Sequence, residues 1–276
     1  MLRSLWYGLL LLLIVACQLA WSISESTSCQ LKLQYSKNTC GSKDDPCDEH
    51  ATCSYDTTTK VVNCTCEDGY VGNGTSGNCQ ENTIVIYRVG DGTSTLTSAG
   101  TPVFLDEYTF TGIFVKTTSL PTTVSGSNMK LVASGTATLE GLMTLSTDGR
   151  FVMLTGYNAD IGSATVATSS VSRVVGRVDK NGTIDTTTTA NLSGQGIRSA
   201  ASTNGMDIWF AGTAGLLYTT LGSNTFTNIS ATVTNIRQTA IFANQLYVST
   251  STGSSVRIGS VGTALPTVQF HFSSLI

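Results

Sequence analysis

The sequence predicts a mainly β protein in two parts: a small disulfide-rich module, then a larger domain built from repeated units of short strands. Three observations carry this. Of eight cysteines, seven lie between positions 29 and 79, and none follows. From Thr83 onward the chain is a series of short alternating or β-branched runs bounded by Gly, Asn or Asp, without a helical apolar period. Two stretches of that series also repeat one another, beginning at Ile197 and Ile236, 39 residues apart.

The chain opens "MLRSLWYGLLLLLIVACQLAWSIS". Arg3 supplies a short positive region, Leu9 to Ala16 an apolar core, and Ala20 and Ser22 the small residues before a cleavage point, so residues 1–22 read as a signal peptide. The apolar run is short for a membrane span of roughly 20 residues, which makes an uncleaved anchor the weaker reading. Ile14-Val15-Ala16-Cys17 also loosely resembles a lipobox, a bacterial reading that the glycosylation sequons below oppose. Residues 23–39 form an N-terminal linker. No later stretch is long and apolar enough to span a bilayer, so the mature protein is expected to be secreted and extracellular. Only 12% of residues are charged and the net charge is −3, which leaves no basic footprint for nucleic acid or anionic lipid.

Three chemistries could use the cysteine segment. Zinc wants two close pairs with two to four intervening residues, and the single close pair here, Cys64-Thr65-Cys66, is poor chelate geometry. A redox C-x-x-C is absent. In a short secreted segment with little apolar content, disulfides are the expected substitute for a core. Six cysteines allow many pairings, and the sequence itself does not select one.

The spacing Cys40-x6-Cys47-x5-Cys53-x10-Cys64-x-Cys66-x12-Cys79, with the phrases "PCDEHATC" and "CTCEDGYVGNG", resembles the epidermal growth factor (EGF)-like module over residues 40–80. The resemblance implies the pairs Cys40–Cys53, Cys47–Cys64 and Cys66–Cys79, and a turn at Gly69-Tyr70 that packs the last loop. Calcium-binding members carry an acidic stretch before the first cysteine. Here that stretch is "YSKNTC", with Lys37 in it, so no calcium is expected. Asp44, Asp45, Asp48 and Glu49 read as a solvated loop. Cys29 is left over, open to a disulfide-linked dimer or to remaining a free thiol.

Residues 83–276 contain the strand-like runs "TIVIYRV", "FTGIFVKTT", "RFVMLTG", "SRVVGRV", "DIWFAG", "LLYTTLG", "QLYVSTS" and "VRIGSV". Asp148-Gly149, Asn181-Gly182 and Asn204-Gly205 are hairpin-turn signals between them. The repeats at Ile197 and Ile236 share the order Ile-Arg, strand, turn, apolar strand, glycine, third strand, and a fainter copy starts near Glu140. A period near 40 with about four strands per unit marks a β-propeller blade; a β-sandwich is the alternative. The segment also resembles uncharacterised secreted β-propeller proteins through "VYRVGDG…TPVFLDEY"-like residues of its opening, "SGTATLEGLMTLSTDGRFVMLTGYNA" and "VVGRVDKNGTID"; that resemblance implies a fold and no chemistry. About 190 residues make four or five blades. An incomplete ring is therefore one expectation, with Val268, Phe270 and Phe272 on an exposed edge.

Signals for catalysis are few. The two histidines, His50 and His271, are far apart in sequence, and no nucleophile elbow, zinc-protease, P-loop or dinucleotide motif occurs. Asp179 to Asp185 is the best candidate cation loop, but its carboxylates do not alternate as in a calcium loop and it reads as a turn. Asp91, Asp106, Glu107 and Glu140 could meet at a propeller mouth as a glycosidase-like pair. Arg198 and Arg237 recur at one point of two repeats, which suggests a structural role. Trp209, Phe210 and Tyr247 read as blade core rather than a sugar platform. Asn63, Asn73, Asn181, Asn191 and Asn228 begin N-x-S/T sequons, with Asn63 crowded by the C-x-C hairpin.

The sequence reading is a secreted glycoprotein, non-enzymatic and without a cofactor or metal, acting in cell adhesion, matrix or ligand recognition through an extracellular protein or glycan ligand. An extracellular glycan-active hydrolase or lyase, with an acidic cluster at the propeller centre, is the alternative. A structural wall protein without a specific ligand is the third.

Overall fold

The structure is a computed structural model that describes residues 39–230, 233–251 and 257–269. The signal peptide, Cys17, Cys29, Phe270, His271 and Phe272 lie outside the described residues. The chain divides into two compact units, residues 1–81 and 82–276. Among the described residues, no helix is long and apolar enough to cross a membrane.

The first unit has two small hairpins and three disulfides. Strands β1 (Ala51–Asp56) and β2 (Val61–Cys66) pair antiparallel, as do β3 (Tyr70–Gly72) and β4 (Cys79–Glu81). The bonds are Cys40–Cys53, Cys47–Cys64 and Cys66–Cys79, the pairing that the EGF resemblance implies. Their sequence separations of 13, 17 and 13 residues make each loop closure worth roughly 3 kcal/mol against the unfolded chain. Gly74 must be glycine: its φ is +78° and an added Cβ would lie 2.4 Å from the Cys64 backbone. Tyr70 stacks flat on His50, with ring centroids 4.1 Å apart.

The acidic loop of this unit is not simply solvated. Asp45 accepts from the Gly41 and Cys47 amides, at 2.6 and 2.9 Å. Asp48 is buried and accepts from the amides of His50 (3.0 Å) and Cys79 (3.3 Å), tying the start of the module to its end. Those backbone donors, His50 first, hold the Asp48 carboxyl below the usual aspartate range. Asp44 and Glu49 do remain exposed.

The second unit is a series of antiparallel sheets in chain order. The first combines β5 (Thr83–Val89), β6 (Gly100–Thr109), β7 (Phe114–Ser119), β8 (Val132–Ser134), β9 (Thr144–Leu145), β10 (Phe151–Tyr157), β11 (Arg173–Asp179) and β12 (Ile184–Ala190). Its long strand β6 changes partner: Gly100 to Pro102 pair with β8, and Phe104 to Tyr108 with β7. Next comes a four-stranded meander of β13 (Ile197–Ser202), β14 (Asp207–Gly212), β15 (Gly215–Thr220) and β16 (Thr227–Ser230). Last are β17 (Ile236–Phe242), β18 (Gln245–Thr250) and β19 (Arg257–Ser260). The only helical piece among the described residues is a 3-10 turn at Val166–Thr168.

Three apolar layers fill the unit, one within the first sheet and one between each successive pair of sheets. Val103, Leu131, Leu154 and Val174 form one, Met153, Ala200, Ile208 and Phe210 the next, and Trp209, Leu216, Ile236 and Leu246 a third. β13 and β17, the first strands of the second and third sheets, run side by side, and β13 lies against β9 and β10 of the first sheet. The Leu142 amide donates to the Arg198 carbonyl (3.2 Å), and the Thr239 amide to Ser199 Oγ (2.9 Å). The architecture is mainly β with several sheets; no closed ring is seen among the described residues.

Because only the first unit depends on cross-links, mild reduction of the full chain should separate the two. Amide signals of residues 40–79 should collapse to random-coil positions in heteronuclear NMR, while those of 83–269 keep their dispersion. Loss of both together would mean that the second unit needs the first.

Candidate functional site

A cleft of about 370 Å³ is lined by Thr136, Thr138, Glu140, Thr168, Arg198 and Thr213 among others. Glu140 comes from the loop between β8 and β9. That loop is fixed by Gly141, whose φ is +72° and where a Cβ would meet the Tyr87 ring at 2.6 Å. Glu140 Oε1 accepts from the Tyr157 hydroxyl at 2.5 Å, and Oε2 from the Ser134 amide at 3.3 Å. The Tyr157 hydroxyl in turn accepts from the Ile197 amide at 3.4 Å, joining the cleft loop to the next sheet.

Tyr157 is fully buried opposite Arg173 in the β10–β11 register, and the guanidinium sits 5.2 Å from the ring centroid. Arg173 is itself fully buried. Among the described residues no carboxylate contacts it; it donates to the carbonyls of Gln195 (2.5 Å), Ser169 (3.0 Å), Ala167 (3.0 Å) and Val171. Burial lowers its pKa, and the nearby Tyr157 and Glu140 oppose that.

Arg198 and Arg237 explain their recurrence in the sequence. In both repeats the register shifts, between Ile197 and Ser199 and between Ile236 and Gln238, so each arginine is the extra residue of a β-bulge. Arg198 Nη1 donates to Asn235 Oδ1 (2.7 Å) and the Ile236 carbonyl (3.0 Å). Arg237 donates through Nε (3.0 Å) and Nη2 (2.7 Å) to Ser251 Oγ, which also receives Asn235 Nδ2 at 3.0 Å. Arg237 Nη1 is sealed from solvent and has no partner among the described residues.

The carboxylates do not assemble into a pair. Asp106 is held by Arg88 (2.5 and 3.0 Å) and Thr117 (2.7 Å). Glu107 is held by Thr83 (2.6 Å) and Lys116 (3.3 Å), and Asp91 by Thr93 within its own loop. Only Glu140 reaches the cleft. In the Asp179–Asp185 loop, Asp179 accepts from the Asn181 and Thr183 amides, while Asp185 binds Thr187 and Arg177. The one cluster of potential metal-ligating groups among the described residues, Asp45, Cys47 and Cys53, contains two disulfide sulfurs. Trp209 and Phe210 are core on β14, and Tyr247 is half-buried on β18. All five sequon asparagines are exposed; Asn63 points away from the cysteines on β2 rather than being crowded by them.

Tyr157, Arg173, Asn235 and Ser251 have no signal in the sequence that would single them out. They are brought together by sheet stacking, not by spacing. The Ile-Arg recurrence alone was visible.

Residues 40–79 match the family model of the EGF domain. No curated protein matches the chain. The match and the three disulfides point to an extracellular or secreted setting, where such bonds persist.

Two measurements probe this network. Replacing Arg173 with Leu leaves the carbonyls of Gln195, Val171 and Ala167 without this donor, while Ser169 keeps the Gly194 amide, and should cost about 3 kcal/mol or more. For a unit of this size that is a fall of roughly 6–12 °C in the melting midpoint by circular dichroism. A variant that melts with wild type would mean that water replaces the guanidinium.

Burial raises the Glu140 carboxyl above its ordinary range, against the hydrogen bonds from Tyr157 and Ser134 and the charges of Arg198 and Arg173. The folded state therefore holds this proton more tightly than the unfolded one. Its contribution is favourable at low pH and is lost as pH rises through the raised pKa. Glu140→Gln removes the titration. The melting midpoint of the variant relative to wild type should thus climb as pH rises above the ordinary glutamate range of about 4; a flat or falling difference would contradict the raised pKa.

Proposed function

We propose that this is a secreted, glycosylated and non-enzymatic recognition protein. An EGF-like module precedes a propeller-like domain of four-stranded blades, and the protein acts in adhesion, matrix or ligand recognition. The propeller reading is supported by sheets that follow one another in chain order, with β13 and β17 adjacent, and by the same bulge at Ile197 and Ile236.

The observation that carries the recognition reading is the cleft itself. Glu140 and Arg198 line one cavity with four threonines, an arrangement of acceptors, donors and hydroxyls suited to a polar extracellular ligand such as a glycan. A binding role is favoured over hydrolysis because a glycosidase needs two facing carboxylates, whereas Asp91, Asp106 and Glu107 are engaged elsewhere. The exposed sequons support passage through a glycosylating secretory route.

The test is a glycan array probed with the full secreted chain, followed by incubation of each retained glycan and chromatography of the products. Retention without new products is the expected outcome, and Thr138→Tyr, which fills the cleft mouth, should cut retention at least tenfold. Cleavage products that vanish in Glu140→Gln would instead establish the hydrolase or lyase reading. An array with no retained glycan would remove the glycan form of the proposal.

A further inference from the structure

Two opposite charges line the Glu140 cleft without touching. Glu140 and Arg198 both belong to its wall, and they form no ion pair among the described residues. Each is still near enough to act on the other's charge. Glu140 is held by the Tyr157 hydroxyl at Oε1 and by the Ser134 amide at Oε2. A carboxylate oxygen accepts about two hydrogen bonds, so each keeps room for a ligand donor. Arg198 is held through Nη1 alone, by Asn235 and the Ile236 carbonyl. Its Nε and Nη2 make no hydrogen bond among the described residues, and they are not enclosed.

The rest of the lining divides between apolar surface and hydroxyls. Ala137, Leu139 and Ala167 contribute methyl groups, and Gly194 and Gly196 leave the backbone bare. The hydroxyls of Thr168 and Thr213 are engaged by the Thr165 carbonyl (3.2 Å) and Gln195 Oε1 (2.8 Å). Thr136 and Thr138 are exposed. A ligand that satisfies this wall presents a donor and an acceptor on separate atoms, beside a small apolar group. A sugar hydroxyl offers both on one atom and brings no apolar part. A secondary amide carries its N–H and its carbonyl on opposite edges of one plane. An acetamido group adds the methyl, and a sugar ring adds hydroxyls for the exposed threonines.

We propose that the cleft binds the acetamido group of an N-acetylated hexosamine, with its N–H on Glu140, its carbonyl on Arg198 and its methyl against Ala137, Leu139 and Ala167. This rests on the recognition reading above and names its ligand class. Both polar contacts are charge-assisted, the stronger kind of hydrogen bond.

The full secreted chain is titrated with N-acetyl-D-glucosamine, N-acetyl-D-galactosamine, D-glucosamine and D-glucose, following alanine and leucine methyl and arginine Nε–H resonances. One or both N-acetylated sugars should bind at least tenfold tighter than glucosamine and than glucose. A site built for a donor and an acceptor rejects a ligand that leaves them unpaired. The Leu139, Ala167 and Arg198 signals should move. Glu140→Gln should weaken that binding about tenfold, the loss of one charge-assisted contact. Gly196→Ala is the second variant. A Cβ there would lie 3.8 Å from the Tyr157 hydroxyl and 3.8 Å from Thr213 Cγ2, ordinary contacts that leave the fold intact. It would stand beside the Glu140–Tyr157 hydrogen bond, where the acetamido N–H approaches. Binding should fall at least tenfold with the melting midpoint unchanged. Resonance shifts on the unmutated protein decide the matter if a variant fails to fold.

Glucose binding as tightly as the N-acetylated sugars overturns the acetamido assignment, as does glucosamine binding tighter than either. N-acetylated sugars that bind with the Leu139 and Arg198 signals still, or undiminished in both variants, overturn the site. No binding by any of the four also overturns the proposal. Retention of other glycans on the array would then leave the broader recognition reading standing, whereas an empty array would remove its glycan form as well.

Discussion

The buried guanidinium of Arg173 is the constraint around which the middle of the second unit is organised. It is fully enclosed, and it gathers the carbonyls of Ala167, Ser169, Val171 and Gln195, which belong to the connections on either side of β11 and β12. Those segments could not otherwise bury their carbonyls, because they make too little regular structure to pair them. Arg173 also covers the Tyr157 ring. Tyr157 then positions the carboxylate of Glu140 and meets the Ile197 amide of the following sheet. One buried cation thus links a loop, two sheets and the acidic side of the cleft.

The two units stay folded by different physics. Around 40 residues cannot bury enough apolar surface to offset chain entropy, and the first unit is held by three covalent loops and by the backbone bonds of Asp48. The second unit has no cysteine. It relies on apolar layers within and between sheets, each contributed by alternate residues of neighbouring strands, and is correspondingly rich in Val, Ile and Leu at buried positions. Some polar side chains in those layers find backbone partners, as with Thr186, which reaches the Met129 carbonyl at 2.7 Å, while Tyr87, Thr155 and Thr239 bury hydroxyls without a partner among the described residues.

Much of this was legible in the sequence, for reasons that can be named. Disulfide frameworks are written in spacing, so the first module was visible from the six cysteines. Strands with apolar alternation and a Gly turn, such as β10 and β14, were visible from pattern; Gly149 and Gly205 do take positive φ beside them. β6 was not recognised among the strand runs, although it has ten residues. Pro102 and the adjacent Asp106 and Glu107 break its apolar signal, and its acids are satisfied only by partners on β5 and β7. The role of Asp48 was missed for a similar reason: a carboxylate in an acidic run looks solvated until the loop that brings Cys79 to it is known. The cleft was the least legible part. Glu140 and the two arginines were noticed singly, but Tyr157, Asn235 and Ser251 join them through stacking of sheets far apart in the chain.

The bulges show why recurrence alone understates a residue. An extra residue in a strand cannot join the ladder, so its side chain and backbone are free to serve another purpose. A hydrophobic residue there would disturb neither repeat's ladder, and an arginine is among the costliest choices to bury. Arg198 partly compensates by capping the Ile236 carbonyl of the next sheet, a structural use that accounts for one of its donors. Arg237 has no equivalent carbonyl, since its donors converge on a single hydroxyl and one finds nothing. The same bulge in consecutive sheets therefore holds one arginine that the fold uses in part and one that it hardly uses. Stability explains the bulge and the first contact. It does not explain the second cation, whose Nη1 stays enclosed without an acceptor among the described residues.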